Sequence, residues 1–305
     1  MLRANVADAQ TSDPPPLIVV VGPTASGKTE LGVRLAEERG GEIVSADSVQ
    51  VYRHFDIGTG KPSPTELARA RHHLIDLLEP NEPMDAALWA EHAERAIKDI
   101  RARAREPIVC GGTFLWVKAL LFGLAGAPAA SPEIRARHRE RAEREGRAAL
   151  HAELARVDPE SAARLAPNDY VRVSRALEVF EQSGVPLSRF HEQHGFRAPR
   201  YTARLIGVRR EPPELDQRIE ARVRAMFAAG WLDEVRDLLA AGYAETRAMS
   251  AVGYKQVAAA LRAETPLELE PLVTSVVRAT RIFARRQRTW LREQSVEWVA
   301  PEAKR

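Results

Sequence analysis

Leu17-Ile18-Val19-Val20-Val21-Gly22-Pro23-Thr24-Ala25-Ser26-Gly27-Lys28-Thr29 is the stretch on which the fold turns. Leu17 to Val21 is a short apolar, β-branched run and predicts a buried strand. Gly22 to Thr29 fits G-x-x-x-x-G-K-[ST], the loop that cradles phosphates. The residues beyond it set Leu31, Val33, Leu35 and Ala36 among Glu30, Arg34, Glu37 and Glu38, which predicts a helix. Gly22 and Gly27 let backbone N–H groups approach oxyanions closely. The loop ends at a helix N-terminus, where free N–H groups and the helix dipole favour negative charge. Lys28 can reach terminal phosphate oxygens, and the Thr29 hydroxyl can hold Mg²⁺. The motif leaves open whether the phosphates belong to a nucleotide or to another ligand.

Outward from this loop the pattern repeats. Glu42 to Ala46 predicts a second strand, followed by Asp47-Ser48-Val49-Gln50, and Pro107 to Cys110 a third, followed by Gly111-Gly112-Thr113. Between them, Asp85 to Arg105 carries Leu88, Ala93, Ala96, Ile97 and Ile100 at helical spacing. Strands alternating with helices after a phosphate loop predict a parallel sheet with helices on both faces. Ligands of such sheets bind beyond the carboxyl ends of the strands. Asp47, Ser48 and Thr113 are therefore expected to face Lys28.

Composition sets the outer limits. The 305 residues are 45 % hydrophobic and 29 % charged, which fits a globular chain long enough for two domains. No apolar run approaches the roughly 20 residues of a membrane-spanning helix. Residues 1–16 are polar, end in Pro14-Pro15-Pro16 and lack an apolar signal core, so they read as a disordered leader. The single cysteine, Cys110, excludes a disulfide within the chain and fits a reducing cytoplasm. His72 with His73, and His191 with His194, have no cysteine or carboxylate cluster to complete a zinc site.

The second half differs in character. Gly123 to Pro132 reads as a linker and Glu133 to Arg147 as a solvated helix of mixed charge. Further short helices are expected to Phe180, with Gly184-Val185-Pro186 as a break and His191 to Arg200 as a loop. No strand rhythm crosses 133–195, so the segment predicts a helical insertion. Ala203 to Val208 predicts a return strand, Pro212-Pro213 an interruption, and Leu215 to Ala229 and Leu232 to Ala241 helices. A glycine-bounded loop follows at Ser250 to Lys255, then a long helix over Leu267 to Gln294 and a last strand at Ser295 to Val299. Within that helix the segment Arg278 to Arg292 contains Arg278, Arg281, Arg285, Arg286, Arg288 and Arg292 and no acid. Two readings stay open: arginines standing in water, or a self-repelling stripe relieved by a phosphate-rich ligand or RNA.

Together these motifs resemble the tRNA dimethylallyltransferase family. The markers are Gly22 to Thr29; Ser45-Ala46-Asp47-Ser48 with Gln50 and Tyr52; Asp56 to Pro62; Gly111-Gly112-Thr113; Ser174 to Glu178; Val252-Gly253-Tyr254; and Arg286-Gln287 with Thr289-Trp290. The resemblance runs from Leu17 to Val299. It implies an α/β fold, a P-loop NTPase-like parallel sheet core (17–122 and 201–300) flanked by helices, with an all-helical insertion domain (123–200) that contacts the tRNA anticodon stem-loop. It implies transfer of a dimethylallyl group from dimethylallyl diphosphate to N6 of adenine 37 in tRNAs reading codons that begin with U. Mg²⁺ and a monomeric enzyme come with it.

The same resemblance assigns residues. Gly22, Thr24, Ala25, Ser26, Gly27, Lys28 and Thr29 would hold the diphosphate, and Arg218 would close on it. Asp47 matches the family's base, although an acid at this place can instead serve Mg²⁺ through water. Thr113 would orient N6, or else cap the following helix. The tRNA would be read by Asp47, Ser48, Val49, Gln50, Thr113, Arg135, Arg172, Arg175, Ser250, Gly253, Tyr254, Lys255, Arg285, Arg286, Gln287, Trp290 and Arg292. Three departures stand out. Gly60 replaces a common alanine, Asp169-Tyr170-Val171 replaces a more polar stretch, and Trp116 replaces a common tyrosine and is expected to reshape a pocket wall. A small-molecule kinase and a nucleotide-dependent RNA-binding switch are the competing functions.

Overall fold

Every residue of β1 (Leu17–Val21) is buried, as is every residue of β2 (Gly41–Ser45). Strands buried on alternate side chains in both directions must be covered on both faces, which is the condition of a parallel α/β sheet. The computed structural model describes residues 15–194 and 198–301. The expected leader lies outside them apart from Pro15 and Pro16. Before the insertion the chain runs β1, α1 (Lys28–Arg39), β2, α2 (Pro64–Arg69), β3 (His72–His73), α3 (Ala86–Ala102), β4 (Glu106–Gly111) and α4 (Phe114–Phe122). The insertion holds α5 (Pro132–Glu145), α6 (Arg147–Val157), α7 (Pro159–Arg164), α8 (Tyr170–Ser183) and α9 (Leu187–His194). The chain then returns through β5 (Ala203–Val208), α10 (Pro212–Ala228), α11 (Trp231–Ala240), α12 (Tyr254–Arg262), α13 (Leu269–Leu291) and β6 (Val296–Val299).

The described strands form one sheet in the order β3-β2-β4-β1-β5-β6, and every pairing is parallel. Its core gathers Ile18, Val20, Leu31, Val33, Ile43, Ile108, Ile206 and Val208. The edge strand β3 was not marked by sequence periodicity, because two residues are too few to show any. Its histidines have structural partners: His73 Nε2 lies 2.6 Å from Glu42 Oε2, and His72 Nδ1 lies 2.8 Å from the Ala70 carbonyl.

The chain divides into two compact units, one running to Leu121 and resuming at Arg200, the other Phe122–Pro199. The second unit packs Leu150, Leu154, Val173, Ala176 and Leu177 together. Asp158 ties its turns, Oδ1 accepting from Ser161 N and Oδ2 from Ser188 N, both at 3.0 Å.

Three local expectations are corrected. Helix α9 occupies Leu187–His194, where a loop was expected from His191; Gly184 caps α8 at φ +67°, and Pro186 directly precedes the next helix. Residues 195–197 of that expected loop lie outside the described residues. Pro212-Pro213 does not interrupt but opens α10, since the first helical position needs no N–H. Trp116 shapes no pocket wall: it is 1 % exposed and stacks on Trp89, centroids 5.2 Å apart. Trp89 in turn donates from Nε1 to the Ser45 carbonyl at the end of β2 (3.0 Å). Trp116→Ala is expected to lower stability by about 3–5 kcal/mol in urea titration, as large core truncations do. A loss within ±0.5 kcal/mol, the surface range, would place Trp116 outside the core.

Candidate active site

The phosphate loop leaves β1 at Gly22 and enters α1 at Lys28. Its two glycines are required for different reasons. A Cβ on Gly22 would meet Ser26 Oγ at 2.6 Å, a demand for space, whereas Gly27 has φ +98° and needs conformational freedom. Ala25 also sits at positive φ, +62°. Ser26 is fully buried and its Oγ has no partner among the described residues.

Two arginines hold the loop's carbonyls. Arg218 Nε donates to the Ala25 carbonyl (2.8 Å), and Arg210 Nε donates to the Ser26 carbonyl (3.2 Å) while pairing with Glu214. Burial and the neighbouring Arg210 hold Arg218 below the usual guanidinium range, with Glu214 opposing. One turn beyond Arg218, Arg222 reaches a cavity of about 310 Å³ that also receives Lys28, Thr29, Asp47 and Thr113. Burial lowers the Lys28 ammonium from its ordinary value, Arg222 lowers it further and Asp47 opposes. Burial likewise lowers Arg222, and Asp47 opposes. The site thus concentrates positive charge that its carboxylate only partly offsets, which suits a polyanion.

Asp47 follows β2. Its Oδ1 accepts from Val49 N (3.0 Å) and Gln50 N (3.3 Å), while Oδ2 accepts no hydrogen bond among the described residues. Thr113 follows β4. Its Oγ1 accepts from Ser48 N (3.0 Å), leaving the hydroxyl proton for another partner. That hydroxyl does not cap α4: Trp116 N and Val117 N bond to the Thr113 carbonyl instead. Gly58 to Gly60 add a further wall, together with Ser250, Val252, Phe283 and Gln287; the loop that holds Gly58 is pinned from both sides. Glu234 of α11 accepts from its Asp56 N (3.0 Å) and Ile57 N (2.6 Å), and Gln50 Nε2 donates to the Gly60 carbonyl (3.1 Å).

Several residues expected at the tRNA have protein partners. Tyr254 is buried and donates to Glu234 Oε1 (2.5 Å); burial raises its phenol above the usual range. Gly253 packs on Trp231, where a Cβ would fall 2.3 Å from the ring. Trp290 stacks on Phe114, centroids 4.2 Å apart and planes 3° apart. Gln287 is buried, accepting from Thr24 N (2.8 Å) and donating to the Gly112 carbonyl (3.0 Å). Ser250, Lys255, Arg285, Arg286 and Arg292 are exposed. Arg278, Arg285, Arg286, Arg288 and Arg292 pair with no acid among the described residues, whereas Arg281 meets Glu220 at 3.2 Å. Sequence reading missed Arg210, Arg222 and Glu234. The four-residue spacing of Arg218 and Arg222 was the available signal.

Within the helical unit, Arg135 and Arg175 both bind the buried Glu178, Arg135 through Nε and Nη2 (3.1 Å each) and Arg175 through Nη1 (2.8 Å). Arg172 meets Asp169 at 3.3 Å and is exposed.

A parallel sheet, a phosphate loop at its centre and a half-free carboxylate in the same cavity define a phosphate-loop α/β protein built around an anionic ligand. Residues 50–294 match the profile of the IPP transferase family, and the chain belongs to that family. A tRNA dimethylallyltransferase of Sorangium cellulosum is 63 % identical over 287 residues, 94 % of this chain and 91 % of that protein. One from Geobacter sulfurreducens is 50 % identical over 286 residues, covering 93 % and 91 %. The solved tRNA isopentenylpyrophosphate transferase of Bacillus halodurans superposes with a TM-score of 0.68 at 35 % identity, covering 93 % of this chain and 89 % of that one.

Burial raises the Glu178 carboxyl, but Arg175, Arg135 and Ser131 N–H outweigh it and hold it below the usual carboxylate range. A depressed folded value stabilises above the unfolded value, and the contribution is lost as pH falls through the folded one. Glu178→Gln is therefore expected to destabilise by about 2–3 kcal/mol at neutral pH. The gap to wild type should close as chemical denaturation is repeated at progressively more acid pH. A gap independent of pH would refute the ion cluster.

Proposed function

We propose that this chain transfers a dimethylallyl group from dimethylallyl diphosphate to N6 of the adenine at tRNA position 37, in tRNAs reading codons that begin with U. The observation that carries the reading is one cavity lined by the phosphate loop and Lys28, by Asp47 with its open Oδ2, and by Thr113. Adenine N6 is a poor nucleophile because its lone pair is delocalised. As N6 attacks the allylic carbon, the N6–C bond forms, the C–O bond to diphosphate breaks and the N6 proton becomes acidic. Asp47 accepts that proton, and the Thr113 hydroxyl orients the amine. The leaving diphosphate gathers negative charge, which Lys28, Arg222, Arg218 and the loop N–H groups stabilise.

Among the described residues no cluster of three or more His, Cys, Asp or Glu side chains could cage a metal. Mg²⁺ commonly takes only one or two protein ligands and completes its shell with phosphate oxygens and water. The Thr29 hydroxyl on the cavity wall fits that role, and the ion would supply further charge neutralisation on the diphosphate.

The target base must leave the anticodon-loop stack to reach this cavity. Lys255 and the exposed arginines of α13 supply the basic surface for the RNA, with Ser250 beside them as a polar contact. On the helical insertion, Arg135, Arg172 and Arg175 are assigned to the same RNA, the first and third of them already paired with Glu178. No helix among the described residues is long and apolar enough to cross a membrane, and we place the reaction in the cytoplasm on a monomeric enzyme.

The test incubates the protein with Mg²⁺, dimethylallyl diphosphate and unmodified tRNA and weighs the digested nucleosides. An adenosine heavier by one C5H8 unit is expected. Asp47→Asn should lower kcat by about 10²–10⁴-fold, the range for a general base, with the tRNA still bound. Lys28→Ala should abolish product mainly through donor binding and diphosphate departure. Bound tRNA with no mass change in the wild-type reaction would overturn the assignment.

A further inference from the structure

Gln287 is the one polar side chain in the buried stripe of α13 that otherwise presents Val273, Val276, Val277, Ala284 and Leu291 inward. A primary amide in such a place is unfavourable unless both of its ends are paired. Both are. Thr24 N can only donate and the Gly112 carbonyl can only accept, so the two contacts fix which end of the amide is oxygen and which is nitrogen. Thr24 belongs to the phosphate loop after β1, and Gly112 to the turn after β4 that carries Thr113. A second observation comes from the turn. A Cβ on Gly112 would fall 2.5 Å from Gln287 Nε2, so the amide occupies the space a side chain there would need.

We propose that Gln287 is a positioning residue rather than an RNA contact. Its amide holds the phosphate loop and the Gly112-Thr113 turn at a fixed separation, and so keeps the donor and acceptor halves of the cavity in register. The flanking Arg285, Arg286 and Arg288 lie on the same turn of α13, so one helix segment presents cations on one side and a brace to the catalytic loops on the other. The inference rests on the proposed transfer reaction only for naming the two halves of the cavity.

The test is built on Gln287→Met, which fills the same space without the paired hydrogen bonds, and Gln287→Glu. The first readout is amide hydrogen exchange in the full chain. Gln287→Met should speed exchange about tenfold in the segments holding residues 22–29 and 111–113, the factor for roughly one lost hydrogen bond, with α5–α9 unchanged. Unchanged exchange in both segments would overturn the proposal whether or not the chain transfers dimethylallyl groups. The second readout separates donor from RNA. The KM for dimethylallyl diphosphate should rise about tenfold, while affinity for an anticodon stem-loop RNA stays within twofold. The reverse pattern would make Gln287 an RNA contact.

Gln287→Glu covers the case in which the methionine variant fails to fold. A neutral carboxyl can accept from Thr24 N and donate to Gly112 O, as the amide does, but a carboxylate cannot donate. Exchange protection relative to wild type at each pH should therefore recover as pH falls from 8 toward 5. A ratio independent of pH would also overturn the proposal. Wild-type protein that yields no prenylated product leaves the exchange results decisive for Gln287, and its failure counts against the proposed reaction alone.

Discussion

The level ending of three parallel strands is the constraint on which the site depends. Val21 stands opposite Gly111, and Ser45 opposite Cys110, so β1, β2 and β4 stop at nearly the same height. Parallel pairing then delivers the phosphate loop, the Asp47 turn and the Gly112-Thr113 turn to one edge of the sheet. Antiparallel pairing would send alternate strand ends to opposite edges and scatter these groups. The chemistry is thus a property of sheet polarity before it is a property of any side chain. Close approach enforces it: a Cβ at Gly111 would fall 2.2 Å from the Ala46 carbonyl, so the turns after β2 and β4 touch backbone to backbone.

Around that edge the second half of the chain acts as a frame. Helix α10 brings Arg218 and Arg222, the segment after β5 brings Arg210, and α11 brings Glu234. Each holds a loop by its backbone: the arginines by carbonyls, Glu234 by N–H groups. Charged hydrogen bonds of this kind are stronger than neutral ones and tolerate little displacement. The cations do double duty, since they brace the loop and raise the positive potential of the cavity at once. A phosphorylated ligand enters a site whose repulsion it relieves.

What was legible in the sequence was what is local. The strand, loop and helix of Leu17 to Arg39 are coded by adjacent residues, as are the turns that follow β2 and β4. Asp47 and Thr113 could be placed together because a parallel sheet leaves strand ends no other place to go. Arg210, Arg222 and Glu234 were not legible as site residues, because their roles depend on helices that return from far along the chain. Gln287 and Tyr254 lie in motifs that seemed to face RNA, yet their side chains turn inward. A motif records that a residue type is required at a position; it does not record which side of the helix needs it. Helix α9 was obscured for a simpler reason, since Gly184-Val185-Pro186 looks like a terminus whether or not a new helix starts at its far end.

The insertion leaves the core at Leu121 and the chain re-enters at Arg200, where Arg200 N donates to the Leu121 carbonyl across 2.7 Å. Departure and return therefore form a closed gate, and the core's own chain path is continuous across it as though nothing had been inserted. The entropy of closing an excursion grows only with the logarithm of its length. An insertion mounted on such a gate can lengthen, shorten or be exchanged at little thermodynamic penalty to the sheet. The sheet unit and the helical unit are in that sense separately evolvable, the first held fixed by strand register, the second by its own small core.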